Sequence, residues 1–453
     1  MGSGSDSISD SLIITRVENL DRLHVRYKVI LKTGRLINIF IVVFVDMIGF
    51  GLILPLLPYY AETFGASPLV IGLLVASFAA ASLIGAPLMG RLSDRYGRRL
   101  ILLLSVAETF IGYLLLGFAQ PIGSFFANLF ASQAVNAFII GVLFLSRMLD
   151  GFTGGNITVA QAYITDITDE TNRSRGLGMI GSAFGLGFIL GPAAGGLLSR
   201  WGYNVPALAA AGLAFINLMS IFLFLPESLT DEHRAANQQQ QRPSITLKAL
   251  IAALNRPKIG PLLLIRFFIM LAFALFQAVF ALFAQQRLKL SLQTTGFVLT
   301  YIGVYSVLVQ GVGIGQLTKR IKENSIIIGA LWLMSLGFLG WALAPNLPIM
   351  LLVILPLSGS GWVLNTIITS AITKAVAPEE IGGMLGISAS IESVSRVISP
   401  TLGGFLFGSI GAWAPGVAGA AVLLWTVWLA YRRIILVKEK EPEVSLPTEE
   451  CCA

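Results

Sequence analysis

The chain has 453 residues, of which 55% are hydrophobic and only 12% are charged, and its mean hydropathy is +0.80. Soluble domains average about 25% charged residues, so lipid must cover many of these apolar side chains. The net charge of +7 is dispersed between apolar runs, a pattern that favours loop anchoring at a membrane and argues against nucleic acid as a partner.

Taken in chain order, residues 1–35 are polar and then basic, and we expect a mobile cytoplasmic leader. Apolar runs that are long enough to cross a bilayer, which takes about 20 residues, follow one another to the C-terminus. We call them spans 1 to 12, near residues 36–60, 69–89, 99–119, 137–165, 176–199, 204–225, 259–284, 293–316, 325–344, 348–374, 383–407 and 412–434. An even number of spans places both termini on one side of the membrane.

The basic residues fix the orientation of the spans. Most Lys and Arg lie in the tails and in loops on the side of the ten-residue loop 90–99. The exceptions are three residues on the other side and three within spans: Arg200, Arg287, Lys289, Arg147, Arg266 and Arg396. Because Lys and Arg accumulate in cytoplasmic loops, we expect a multi-pass protein of the cell (inner) membrane with both termini cytoplasmic.

A polar, low-complexity segment divides the chain into two halves. It is predicted to be a flexible linker, with a short surface helix near residues 244–255 where apolar residues recur at helical spacing. The expected units are a leader, a six-helix bundle, the linker, a second six-helix bundle and a cytoplasmic tail, at residues 1–35, 36–226, 227–258, 259–436 and 437–453.

The sequence contains no phosphate-binding loop and no set of metal ligands. The two histidines have no partners at ligand spacing, and the two cysteines stand together at the C-terminus, where they can neither staple a fold nor build a metal site. We therefore expect no cofactor and no metal; lipidation of Cys451 and Cys452 is left open.

The two halves are repeats of each other. Gly191-Pro192 and Gly195-Gly196 in span 5 recur as Ser399-Pro400 and Gly403-Gly404 in span 11, at an offset of 208 residues. Earlier in the chain, corresponding residues of the two halves are separated by a different number of residues, and an insertion near residues 120–136 of the first half accounts for that difference. Internal repeats of six spans indicate a transporter whose site lies at the repeat interface, and prolines in spans 5 and 11 predict bends where the halves meet.

Loop 90–99 reads GRLSDRYGRR and is predicted to form a tight turn at the membrane surface. Gly90 and Gly97 would let two helix ends turn sharply, while Arg95, Arg98 and their neighbours anchor the turn. Asp94 is the one acid among arginines, and an acid here can face the positive N-terminus of another helix. The alternative is a solvated loop that serves topology alone.

Charged residues within the spans are costly to bury and are therefore expected to be paired and functional. In the first half these are Asp46, Glu108, Arg147 and Asp150, and Arg147 and Asp150 share one helix face. An acid held beside an arginine in a low-dielectric site can take up a proton from one side and release it on the other. We assign these four residues to proton coupling; the alternative is a static ion pair or, for Glu108, a position facing a neighbouring helix and not the cavity.

The second half supplies candidates for a substrate cavity. Span 7 carries an aromatic stripe at helical spacing, which suits amphipathic compounds but also suits packing or lipid contact. Glu392 and Arg396, four residues apart in span 11, could contact substrate or form a structural pair. The complete set of cavity candidates is Gln161, Phe273, Phe276, Gln277, Phe280, Asn365, Glu392 and Arg396.

Four stretches give the chain a resemblance to a known family: DMIGFGLILPLLP at 46–58, GRLSDRYGRR at 90–99, RMLDGFTGGNITVAQAYITDIT at 147–168 and GPAAGG at 191–196. The sequence resembles the major facilitator superfamily, and within it the twelve-helix drug:proton antiporters, closest to tetracycline-efflux proteins. The resemblance implies an all-α fold of two pseudo-symmetric six-helix bundles. It also implies that Asp94 latches onto the start of helix 11, near residues 382–386.

One departure from that family concerns the substrate. Tetracycline exporters carry an acid beside a tyrosine in helix 3, whereas this chain has Gly112-Tyr113 there, and Glu108 lies one turn earlier. Recognition of a metal–tetracycline chelate is therefore doubtful, and a different lipophilic compound is expected.

The expected function is proton-coupled efflux of small lipophilic compounds by alternating access between the halves. The alternatives are a proton-coupled symporter or uniporter for a metabolite, and, less favoured, a membrane-embedded enzyme or a channel. The expected partners are a small-molecule substrate, protons and the lipid bilayer, and the protein is expected to be a monomer.

Overall fold

A computed structural model of the chain describes residues 6–152, 154–229, 247–377 and 380–435, with side chains described almost throughout from residue 34 onward. These residues form helices and no strand. Twelve long helices, α1 to α12, correspond to the twelve spans: Asp6–Thr63, Pro68–Tyr96, Arg98–Gly117, Val135–Ile167, Glu170–Leu198, Asn204–Phe224, Gly260–Gln286, Leu292–Arg320, Glu323–Leu343, Leu347–Lys374, Ile381–Ser409 and Ala414–Ala430.

Eleven of the helices in the described residues contain a stretch apolar enough to cross a membrane. The other is α11, which has 29 residues and is long enough, but it carries Glu392, Arg396 and several serines. The predicted all-α membrane fold is confirmed.

Four segments outside the predicted spans differ from expectation or lie partly outside the described residues. The leader is not an irregular tail, because α1 is already helical from Asp6. Most of the predicted linker and all of the tail at 437–453 lie outside the described residues, but a short helix, Leu247–Leu254, occupies the segment predicted to form one. The 120–136 insertion contains a helix, Ala119–Leu129, which packs Gly123 against Ile139 of α4.

Glycines allow α2 and α4 to cross at backbone contact. A Cβ on Gly85 of α2 would lie 1.8 Å from the carbonyl oxygen of Phe152, and one on Gly151 of α4 would lie 2.3 Å from the carbonyl oxygen of Phe78. Membrane helices gain no hydrophobic driving force from packing on one another, so close approach through small residues provides their van der Waals contact.

The expectation of a ten-residue turn at 90–99 was wrong. Helix α2 continues to Tyr96 and α3 begins at Arg98, so the break is confined to Gly97, whose φ of 108° favours glycine. Gly90 lies within α2, where it makes no turn. The backbone N–H groups of Arg98 and Arg99 donate to the two carboxylate oxygens of Glu227, at 2.9 and 3.1 Å, and this side chain caps α3 in place of a longer turn.

The two halves touch at only one end among the contacts we describe. We call the end bearing Gly97 the basic end and the end bearing Pro68 the opposite end. At the opposite end, a Cβ on Gly72 of α2 would lie 2.2 Å from the carbonyl oxygen of Pro400 in α11, and one on Gly296 of α8 would lie 2.3 Å from that of Pro192 in α5. Pro192 and Pro400 thus lie where the halves meet.

Toward the basic end the same four helices separate. A Cβ added at any of several glycines there would meet nothing within 4 Å: Gly178, Gly181, Gly311, Gly315, Gly382 and Gly383. The space between the halves is therefore a cleft, sealed at the opposite end and open at the basic end.

Candidate functional site

Four charged residues of the first half come together as an acidic cluster, which we define as Asp46 of α1, Glu108 of α3, and Arg147 and Asp150 of α4. Arg147 Nη1 lies 3.1 Å from Asp150 Oδ2, and both residues are almost fully buried, at 3% and 5% exposure. Asp46 and Glu108 both lie near enough to Asp150 to be repelled by its charge, so the three acids form one interacting group, in which Arg147 pairs with Asp150. The structure therefore unites all four predicted proton-coupling residues.

Three further residues complete this cluster, and the sequence did not single them out for it. Asn156 donates from Nδ2 to Asp46 Oδ2 at 2.8 Å, and the Thr109 hydroxyl donates to Asp150. The ring of Tyr113 lies 5.9 Å from the Arg147 guanidinium carbon and is itself buried. Thr109 and Asn156 are both polar residues inside a span and close in sequence to a charged one, since Thr109 follows Glu108 and Asn156 lies six residues after Asp150, and this was the signal that could have found them.

Asp46 shares a face of α1 with Phe50. One turn further along α1, on the same face, Phe50 contacts Phe78 of α2 and Phe188 of α5, with ring centroids 5.6 and 6.0 Å apart. Helices α2 and α5 are the ones that meet the second half, so this face of α1 lies against the helices that border the cleft. Asp46 remains partly exposed, as expected for a residue at the margin of that space.

In the second half, three charged residues form what we call the basic cluster: Arg266 of α7, and Glu392 and Arg396 of α11. Arg266 Nη2 lies 3.2 Å from Glu392 Oε2, and Arg396 Nη2 lies 2.6 Å from Glu392 Oε1. Arg266 also donates from Nη1 to the Thr369 hydroxyl at 2.7 Å. The Glu392–Arg396 pair is as the spacing predicts, but the third member, Arg266, was not assigned to it.

The aromatic stripe of α7 divides into two parts. Phe276 and Phe280 are 3% and 1% exposed and pack within the second half, where Phe276 meets Trp341 edge to face at 5.0 Å. Their assignment to the substrate cavity was wrong, because rotation of α7 points them into its own bundle. Phe273 is partly buried beside Trp362, and Gln277 is exposed one turn further on.

The two remaining cavity candidates lie on different helices. Gln161 of α4 is exposed. Asn365 of α10 is partly buried, and its Oδ1 has no hydrogen-bond partner among the described residues. Two cavities of about 360 and 310 Å³ lie elsewhere, at the opposite end of the first half and between α8, α9 and α10, and neither contains a member of the charged clusters.

The described ion pairs of Asp94 lie within the first half. Its Oδ1 lies 2.6 Å from Arg98 Nη2, and Arg98 also binds Asp166 of α4 at 3.0 Å. Gly382 and Gly383, at the start of α11, lie in open space. With the basic end open, Asp94 instead joins a network that ties α2, α3 and α4 together. Arg95 is exposed on the outer surface.

Polar contacts accompany the seal at the opposite end. Thr295 of α8 lies 2.7 Å from the Tyr59 hydroxyl, which also donates to the carbonyl oxygen of Leu290 at 2.9 Å. Gln286 donates to Glu62 at 2.7 Å across the halves. No group of three or more His, Cys, Asp or Glu among the residues described is placed to hold a metal ion.

Comparison with known proteins agrees with this architecture. A family model described as Major Facilitator Superfamily matches residues 39–382 and 262–450. Solute carrier family 22 member 18 of Rattus norvegicus is 30% identical over 79% of this chain and 83% of its own length. Tetracycline resistance protein, class D, of Salmonella ordonez is 29% identical over 86% of this chain and 91% of its own length.

Among solved structures, the crystal structure of the human organic anion transporter MFSD10 (TETRAN) has a TM-score of 0.60. It is 23% identical and covers 88% of this chain and 99% of that one. At this identity the likeness shows the fold.

Proposed function

This chain belongs to the Major Facilitator Superfamily, and we propose that it is a proton-coupled antiporter that exports small lipophilic compounds by alternating access. Its family makes it a membrane transporter of small molecules. The export direction, the coupling to protons and the class of compound are our proposal.

The observation that carries the proposal is the acidic cluster. Arg147 pairs with Asp150, and the two further carboxylates of the cluster, Asp46 and Glu108, have no arginine of their own there, so full ionisation leaves uncompensated negative charge in a low-dielectric region. Uptake of a proton relieves that charge, and Asp46, which is partly exposed and is held by the amide of Asn156, is the residue we assign to it. Coupling then requires that the protonated and ionised forms differ in their affinity for substrate or in the facing they favour.

Alternating access would proceed by rocking of the two halves. We assign the basic end to the cytoplasm, which makes the present arrangement the one that accepts substrate from the cytoplasm. Closing of the basic end would bring Asp94 toward the N-terminus of α11 and form the proposed latch, with Gly97 as the pivot between α2 and α3. Opening of the opposite end would separate α2 from α11 and α5 from α8.

The export proposal is tested in inverted membrane vesicles that have been energised to establish a proton gradient. Addition of a transported compound from a broad lipophilic panel is expected to dissipate the gradient in proportion to its uptake. Uptake that is indifferent to the gradient would indicate a uniporter, and uptake driven only by the reversed gradient would indicate a symporter. Either outcome rejects antiport.

Asp46→Asn tests the assignment of the proton site. It is expected to abolish proton release while leaving the protein inserted and able to bind substrate. Glu380→Gln, which neutralises a carboxylate outside the membrane, is the matched control and should retain full coupling. Proton release by Asp46→Asn at the wild-type rate would exclude Asp46.

Asp94→Asn tests the latch separately. It is expected to slow transport without reducing the amount of protein in the membrane, because the closed basic end would lose an attraction between the carboxylate and a helix N-terminus. Unchanged transport would leave the loop with a role in topology alone.

A further inference from the structure

We propose that Arg396 of α11, with Arg266 behind it, binds the anionic group of an amphipathic substrate, such as a carboxylate or sulfonate on an aromatic body. This names the substrate class of the transporter and therefore rests on the proposed function. Three features carry it: the charge balance of the basic cluster, the direction in which Arg396 points, and the hydrogen-bond donors that it leaves unused.

The basic cluster holds more positive than negative charge. One carboxylate, Glu392, serves two guanidinium groups and gives one oxygen to each. An unbalanced charge within a membrane protein is costly unless water or a counter-ion compensates it. An anionic substrate would supply that counter-charge.

Arg396 points into the cleft. It lies one turn before Pro400 and two turns before Gly404 on one face of α11, and both of these residues meet α2 at the opposite end. One turn nearer the basic end, where the halves diverge, that face opens on the space between them. The side chain of Arg396 is 61% exposed, whereas that of Arg266 is 9% exposed.

The donors of the cluster are incompletely used within the described part of the chain. Arg396 makes one hydrogen bond, from Nη2 to Glu392, out of the five N–H donors that a guanidinium carries. The buried Nε of Arg266 has no partner. A guanidinium fork matches a carboxylate or sulfonate in two parallel hydrogen bonds, so the free edge of Arg396 suits that chemistry.

An aromatic wall lies beside the cluster. Phe273 is seven residues after Arg266 and therefore on the same face of α7, and its ring meets that of Trp362 edge to face at 5.9 Å. The indole N–H of Trp362 is buried without a hydrogen-bond partner among the described residues. An anion with an aromatic body would place its charge on Arg396 and its ring along this wall.

The experiment measures binding without a proton gradient, on the purified full chain in lipid nanodiscs. The probes are matched sets that share a ring system and differ in one group: 2-naphthoate, 2-naphthamide and 2-naphthylmethylammonium, with the corresponding anthracene compounds. The carboxylates are expected to bind about tenfold or more tightly than the amide and the ammonium with the same ring, as charge-assisted hydrogen bonds allow. Equal or weaker binding of both carboxylates overturns the proposal.

Two substitutions with opposite effects separate a substrate site from a structural ion pair. Arg396→Gln is expected to remove the preference for carboxylates, and Arg396→Lys to retain part of it. Glu392→Gln is expected to strengthen carboxylate binding, because it removes the internal competitor for Arg396. Arg287→Gln, which removes an exposed arginine beyond the end of α7, is the matched control and should change nothing. Weaker binding in both Arg396→Gln and Glu392→Gln would mark a structural pair and reject the proposal.

The outcomes for this site and for the proposed antiport are separable. Carboxylate binding that depends on Arg396, in a protein that never dissipates a proton gradient, would support the anion site and reject antiport. Antiport of neutral or cationic compounds without carboxylate binding would support antiport and reject the anion site.

Discussion

The two halves share a backbone plan and differ in the sign of the charge that they bury. Helices α1 and α7 occupy equivalent places in the repeat, yet α1 carries Asp46 and α7 carries Arg266. The acidic cluster has three carboxylates around one arginine, and the basic cluster has two arginines around one carboxylate. The glycines and prolines of α5 and α11 are retained because both helices must meet the partner half at backbone distance.

This contrast suggests a division of labour. In the rocking motion that we propose, the halves need similar contacts on both sides of the cleft, and the pseudo-symmetry supplies them. The charged residues of the two clusters need not be alike in the two halves, so one half can hold a proton site and the other an anion site. The clusters also differ in burial, since Arg147 and Asp150 are sealed within the first half while Arg396 faces open space.

The difference in burial predicts the largest effect. Arg147→Gln leaves Asp150 as an uncompensated buried charge and should destabilise the protein by about 3–5 kcal/mol, whereas Arg396→Gln should cost less than about 1 kcal/mol. Thermal unfolding of the purified variants measures both. The double variant Arg147→Gln/Asp150→Asn should recover much of the loss. Similar losses at Arg147 and Arg396 would remove the distinction between the clusters.

The shared backbone plan predicts the next effect. Gly72→Ala would place its Cβ 2.2 Å from the carbonyl oxygen of Pro400, so the halves can no longer close at the opposite end without displacement. Overpacking of this kind costs about 1–3 kcal/mol and should shift the balance toward opening by about tenfold. Spin-label distances across that end measure the shift. Gly212→Ala in α6, which meets nothing within 4 Å and lies outside the contacts between the halves, is the control, and an equal effect there would contradict the seal.

A smaller effect is expected from the polar contacts of the seal. Tyr59→Phe removes the hydroxyl that joins Thr295 and Leu290 across the halves, which should cost about 1 kcal/mol and shift the balance about fivefold toward opening. Spin-label distances across the opposite end measure this shift as well. Tyr60→Phe is the neighbouring control, because that hydroxyl bonds the backbone of Gln120 within the first half. If Tyr60→Phe shifted the balance toward opening and Tyr59→Phe did not, the contribution of the Tyr59 hydroxyl to the seal would be contradicted.

The smallest effect is expected outside the membrane. Arg256, which follows the short helix, makes a bidentate pair with Glu380 at 2.8 and 2.9 Å, and its hydrogen bonds and charge hold the pKa of Glu380 below its usual value. A depressed carboxyl pKa stabilises the fold above the unfolded pKa, and the benefit is lost as pH falls through the folded pKa.

Both members of this pair are exposed, so solvent screens their interaction. Glu380→Gln should therefore lower the melting temperature only slightly at neutral pH, and the difference from the wild type should vanish in acid below the folded pKa. A difference in melting temperature that grows as the pH falls would contradict the predicted direction of the effect.

Much of the fold could be predicted because hydropathy and charge are local properties of the chain. Bilayer thickness sets the length of every span, so the helices can be read from apolar runs. The cost of burying charge makes Asp46, Arg147 and Asp150 conspicuous in any span. The predicted helix ends were wrong where a side chain from a distant part of the chain caps a helix. This happens after Gly97, where Glu227, which follows α6, caps α3.

The sequence by itself determined that the chain crosses the membrane repeatedly, that its halves repeat and which charges lie within the spans. Only the tertiary structure decided which residues meet: that Arg266 reaches Glu392 from 126 residues away, and that Phe276 and Phe280 turn into their own bundle while Phe273 stays near the cleft. It also decided which end of the cleft is sealed. The physical reason is that the rotation of each helix about its axis is set by packing against neighbours distant in the chain, and no local pattern records it.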